Sequence, residues 1–117
     1  MAKRSPTASQ FTAALRAIPK PGGKQLQFLT AHYRAPGRAT TAAKLARAVK
    51  YQSWRAINLR YGLLAQAIAD AMRKESTGLG LLMEFAEPKT VTNEHWILVM
   101  RPEFANALRH AGWISGA

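Results

Sequence analysis

The stretch Thr41-Ala42-Ala43-Lys44-Leu45-Ala46-Arg47-Ala48-Val49-Lys50-Tyr51-Gln52-Ser53-Trp54-Arg55-Ala56-Ile57-Asn58-Leu59-Arg60-Tyr61 decides the fold. Thr40 or Thr41 can cap a helix over 42–49 that turns Leu45, Ala46 and Val49 inward. Lys50-Tyr51-Gln52 is too short for a free loop and makes a tight corner. Ser53 then caps a long fourth helix, in which Trp54, Ile57, Tyr61, Leu64, Ile68 and Met72 keep a spacing of three and four. That stripe assigns Trp54 to the core. Gly62 weakens the helix by about 1 kcal/mol against Ala and suggests close packing against a neighbour. Two helices across so short a turn have the spacing of a helix-turn-helix, whose second helix can enter a major groove. Ala46 is small enough to let the pair approach, whereas Lys50 stands where glycine often makes the turn. An ordinary αα-hairpin is the plain alternative.

Working outward, residues 1–8 read as a flexible basic arm, and residues 9–117 as a single domain. Ser9 is placed to cap a first helix carrying Phe11, Ala14, Leu15 and Ile18 on one face, ended by Pro19, Pro21, Gly22 and Gly23. A second helix, 24–34, turns Leu26, Leu29 and Tyr33 inward and stops at Pro36-Gly37. Beyond the long helix, Leu81–Ala86 and His95–Met100 are extended runs joined by polar residues 87–94, the pattern of a hairpin. Pro102 suits the first turn of a last helix, 102–111, with Phe104 and Leu108 inward and Gly112 as its stop. The fold class is therefore mainly α (α+β): a winged-helix-like, helix-turn-helix core of four helices, then a β-hairpin and a C-terminal helix. Trp96 and Trp113 are expected to pack.

The charge is divided unevenly. Residues 1–69 hold 12 of the 17 Lys and Arg and no acid, a formal charge of +12, while the other 48 residues hold 5 basic and 6 acidic groups, 5 − 6 = −1. Concentrated like charge destabilises a compact state unless a polyanion neutralises it, and DNA offers a charge every ~1.7 Å. The chain is 48% hydrophobic, which argues against a disordered basic tail. No cysteine is present, so a disulfide scaffold and a Cys-based zinc site are excluded. No apolar run approaches the ~20 residues of a membrane span, and the N-terminus lacks the apolar core of a signal peptide. A cytoplasmic, nucleoid-associated protein is expected, without a membrane partner.

If the fourth helix enters the groove, Gln52, Ser53, Arg55, Asn58 and Arg60 can reach base edges, Arg pairing with guanine and Asn or Gln with adenine. Asn58 borders the buried stripe and could instead bond the backbone. Arg34, Arg38, Lys44, Arg47, Lys50 and Tyr51 are better placed for phosphates, and Lys3 and Arg4 of the arm could join them. Tyr51, in the turn, is the better aromatic candidate for a base or phosphate. No catalytic residues, metal or cofactor are expected. His32, His95 and His110 lie far apart, and Glu87-Pro88-Lys89 with Asp70 matches only part of a metal-dependent nuclease motif, with a proline where that motif needs a strand.

Several runs carry a resemblance: Ala31-His32-Tyr33-Arg34-Ala35-Pro36-Gly37-Arg38, then Thr41-Ala42, Leu45-Ala46, Val49, Tyr51, Ser53, Ala56, Asn58-Leu59, Tyr61-Gly62 and Leu64. Phe11–Pro19 and Trp96–Glu103 extend it over nearly the whole chain. These residues resemble the small N-terminal, DNA-reading domain of bacterial HNH-type, modification-dependent restriction endonucleases. The resemblance implies recognition of target DNA, modified bases included, with cleavage by a separate nuclease domain. Lys50 departs from the expected turn glycine, and no nuclease domain follows in this sequence, so cutting is not implied. A protein partner or a homodimer is compatible with this reading. The alternatives are a structured-RNA binder and a small phage or bacterial inhibitor of a nucleic-acid-binding host protein.

Overall fold

The computed structural model describes residues 6–74, 78–86 and 96–114. Its first helix, α1 (Ala8–Ala17), starts from a capping box: Thr7 Oγ1 accepts the Gln10 N–H at 3.1 Å, and Gln10 Oε1 accepts the Thr7 N–H at 2.9 Å. The cap is thus Thr7 rather than Ser9, because only Thr7 has a side-chain amide three residues on. Pro6 is buried as well, so the folded domain begins before the boundary expected at residue 9. Helix α2 (Gly23–Arg34) gives way to a short 3-10 turn, Pro36–Arg38, because the residue before a proline disfavours helical backbone.

Strand β1 (Ala39–Thr41) then leads into α3 (Ala42–Ala48), capped by Thr41, whose Oγ1 accepts the Lys44 N–H at 3.2 Å. Ser53 caps α4 (Trp54–Ala71). Strands β2 (Met83–Ala86) and β3 (Ile97–Met100) follow, then α5 (Pro102–His110). β2 and β3 pair antiparallel as the hairpin pattern requires, with Phe85 opposite Leu98. β1 adds a third strand on the other side of β3, Thr40 opposite Leu98, giving the order β1-β3-β2. The run α2-β1-α3-α4-β2-β3 is winged-helix-like, with α1 and α5 packed together beside it through Phe11 and Phe104, ring centroids 5.6 Å apart.

One buried polar tie fixes the core. His32 of α2 is fully buried and sits 3.0 Å from the Leu98 carbonyl of β3 and 2.7 Å from the Tyr61 hydroxyl of α4. A carbonyl can only accept, so Nε2 carries the proton and Nδ1 accepts from Tyr61 O–H. Burial holds the imidazole below its ordinary value, opposed in part by the backbone of Leu98 and Arg38, and it pushes the Tyr61 phenol up. The neutral pair satisfies its own polarity while joining two helices and the sheet.

The interior also corrects two readings of the long helix. A Cβ placed on Gly62 would meet nothing within 4 Å, so this glycine marks open surface and not a close helix contact. Trp54, expected in the core, keeps 38% of its surface exposed, whereas Ile57 and Tyr61 further along the same stripe are fully buried. None of the described helices is long and apolar enough to cross a membrane.

Candidate nucleic-acid interface

The turn between α3 and α4 is built like a glycine turn around a lysine. Tyr51 N–H donates to the Ala46 carbonyl at 2.9 Å and Lys50 N–H to that of Arg47 at 3.3 Å, the paired bonds of a Schellman C-cap. That motif needs a left-handed residue, and Lys50 supplies it at φ +60°. The departure from glycine is therefore one of residue type and not of backbone. The Tyr51 ring packs on Phe28 (centroids 6.5 Å apart) and lies under the Lys24 ammonium (5.1 Å), which also donates to the Lys50 carbonyl at 3.3 Å. Tyr51 is consequently half-buried, with one side left to the surface.

Around this corner the structure gathers part of the expected set. Arg47, Tyr51, Gln52, Ser53 and Trp54 line one shallow groove with Ala43 and Ala46. Gln52 and Arg47 are exposed there, while the Ser53 hydroxyl is engaged with the Arg55 N–H at 3.1 Å. Lys44 and Lys50 are exposed on the same two-helix unit. The Arg55 guanidinium lies 5.3 Å from the Trp54 ring centre. Arg34 is exposed at the end of α2; Arg38 instead stacks on Tyr33 at 4.8 Å, its Nε buried without a hydrogen-bond partner. Arg60 does not join Arg55: five residues turn a helix by about 140°, so the two arginines flank the exposed face instead of sharing an edge. Between them stand Leu59 and Leu63, 60% and 56% exposed, which a reading confined to polar side chains passes over. Lys3 and Arg4 lie outside the described residues, as do Glu87-Pro88-Lys89 and His95.

A second hollow opens on the other side of Trp54. Alternation along the strands turns Met83 and Phe85 of β2, and Trp96, Leu98 and Met100 at β3, toward α4. Met83, Leu98 and Met100 are buried, but Phe85 and Trp96 emerge where the sheet ends, 46% and 50% exposed. The expectation that Trp96 packs is thus corrected, since half of its surface is exposed, while Trp113 is buried. With Ala42, Trp54, Asn58, Leu79 and Leu98 they enclose about 140 Å³. The Asn58 side chain has no hydrogen-bond partner among the described residues.

Electrostatically the face is one-signed. Among the described residues the only ion pair is Arg101–Glu84 at 3.1 Å, on the hairpin side, and no helix from α1 to α4 has an acid in its first turn. Three cations of the acid-free half are engaged by backbone: Arg16 donates to the His110 carbonyl (3.2 Å), Lys20 to that of Gly112 (3.3 Å), and Lys24 as above. No group of three His, Asp or Glu that could hold a metal occurs among the described residues. Comparison with protein-family models, with curated proteins and with solved structures returns no match.

Proposed function

We propose that this chain binds double-stranded DNA through α3 and α4, as a target-recognition module of the restriction type. The observation that carries the reading is the cluster of exposed cations, Lys44, Arg47, Lys50 and Arg55, on one helix-turn-helix, with no acid before Asp70 and no carboxylate partner among the described residues. Such a cluster costs compactness in isolation and is relieved by a polyanion. Phosphate contacts fall to Arg34, Arg38, Lys44, Arg47 and Lys50, and base edges to Gln52, Arg55 and Asn58. Leu59 and Leu63 offer apolar contact of the kind that suits a thymine or 5-methylpyrimidine C5 methyl group, which links the reading to modified bases.

The test is fluorescence anisotropy on a labelled duplex across salt. Five phosphate contacts give a slope of about −4.5 in log K against log salt, a loss of about 500-fold between 50 and 200 mM. A change below about tenfold would reject a phosphate-dominated interface. Competition by a matched RNA duplex separates DNA from structured RNA, and an array of methylated and unmethylated duplexes reads the modification preference.

A further inference from the structure

We infer that the hollow between α4 and the sheet receives one pyrimidine base turned out of the DNA that α3 and α4 hold; the inference rests on the duplex-binding reading above. Three large aromatic rings left partly exposed around one small depression are not what a monomer's surface needs. Trp and Phe are normally covered, and clustered exposed apolar surface marks a binding site. Trp54, Phe85 and Trp96 are 38%, 46% and 50% exposed and all line the same hollow. Its volume, about 140 Å³, is close to the ~150 Å³ of a cavity that accepts a single benzene ring, so one six-membered ring fills it.

The chemistry of the walls fits a base better than an aliphatic ligand. Aromatic faces stack any base, and the Asn58 amide, which has no hydrogen-bond partner among the described residues, offers one donor group and one acceptor to a Watson–Crick edge. The setting fits as well. Trp54 is the wall shared with the groove that holds Arg47 and Gln52, and Arg55 lies over its ring, so a duplex seated on that groove passes beside the opening. Extrusion is least costly for a base that has no partner, which supplies the experiment.

Anisotropy titrations would compare a matched duplex with one whose central thymine faces an abasic site, and with one whose central adenine does. The thymine–abasic duplex is expected to bind roughly 5- to 150-fold tighter than the matched one, the range of a single base stacked on protein, and the adenine duplex less so. In Trp96→Ala and in Phe85→Ala, both at exposed positions, the ratio of the two affinities should fall to about one. A ratio near one in the unsubstituted protein, with salt-dependent duplex binding intact, overturns this inference alone. A ratio that survives both substitutions, or an equal gain for adenine, overturns the assignment to this hollow. Absence of any duplex binding overturns the proposed function and this inference together.

Discussion

Replacing Lys50 by glycine should stabilise the protein and weaken its grip on DNA. Lys50 holds φ +60° in the corner that sets α4 against α3. A left-handed conformation costs an L-residue roughly 1–2 kcal/mol, while glycine brings roughly 0.5–1 kcal/mol of extra unfolded-state freedom. The net gain is about 0.5–1 kcal/mol, or roughly 2–4 °C in the melting temperature of a domain this size. In the proposed complex the ammonium holds one phosphate, so its loss should make the salt slope less negative by about 0.9. Lys50→Ala is the control, because it removes the same charge and keeps the strained backbone. Thermal denaturation and salt-dependent anisotropy on the three proteins give both readouts. Equal stabilisation by Ala and Gly would mean that relief of charge repulsion, not backbone strain, is responsible. No stabilisation by Gly would refute the strain argument, and an unchanged slope would remove Lys50 from the interface.

Other consequences follow from the buried tie and from the proposed role of α4. Tyr61→Phe leaves the buried Nδ1 of His32 without its donor and should cost about 1–3 kcal/mol in urea denaturation; a loss under 0.5 kcal/mol would mean the 2.7 Å contact is not a hydrogen bond that matters. His32 titrates below its ordinary 6.5 when folded, so the unfolded chain binds the proton more readily. Stability is then full above pH 6.5 and falls as pH drops from there through the folded-state value, by at most about 1.4 kcal/mol per unit. A denaturation midpoint unchanged between pH 7 and 5.5 would contradict that sign. Arg55→Ala/Arg60→Ala should weaken binding and flatten sequence preference; an unaltered preference would exclude the first turns of α4 as the reader.

What the sequence shows and what it hides divide along range. The stripe Ile57-Tyr61-Leu64-Ile68 states its burial through spacing alone, and Thr41 and Ser53 announce their helices as caps. Thr7 could have been read in the same way from its partner Gln10. β1 could not, since three residues show no alternation and Ala39–Thr41 is a strand only because Ile97–Val99 lies beside it. Trp54 and Trp96 fail for a related reason. Periodicity gives the side of an element that faces inward, but not how completely that side is covered, and both rings keep part of their surface exposed. The α3–α4 corner was legible as a corner, and Arg47, Gln52 and Ser53 do meet there. The angular separation of Arg55 and Arg60, and the leucines between them, needed only the helical period to be applied to the polar face as well.

The charge asymmetry is therefore not a uniform instruction to bind. Arg16 and Lys20 point at carbonyls near the C-terminal end of α5, where a cation complements the helix dipole, and Lys24 braces the Lys50 carbonyl and the Tyr51 ring. These three cations are bonded within the protein, whereas Lys44, Arg47 and Lys50 of the same acid-free stretch are exposed. Arg16→Gln and Lys20→Gln should each cost a few tenths of a kcal/mol of stability and leave the salt slope where it was. Lys44→Gln or Arg47→Gln should do the reverse, with stability held and the slope reduced by about 0.9 each. If all four substitutions moved the slope alike, affinity would follow net charge and not position, and α3 and α4 would have no claim to be the DNA-binding face.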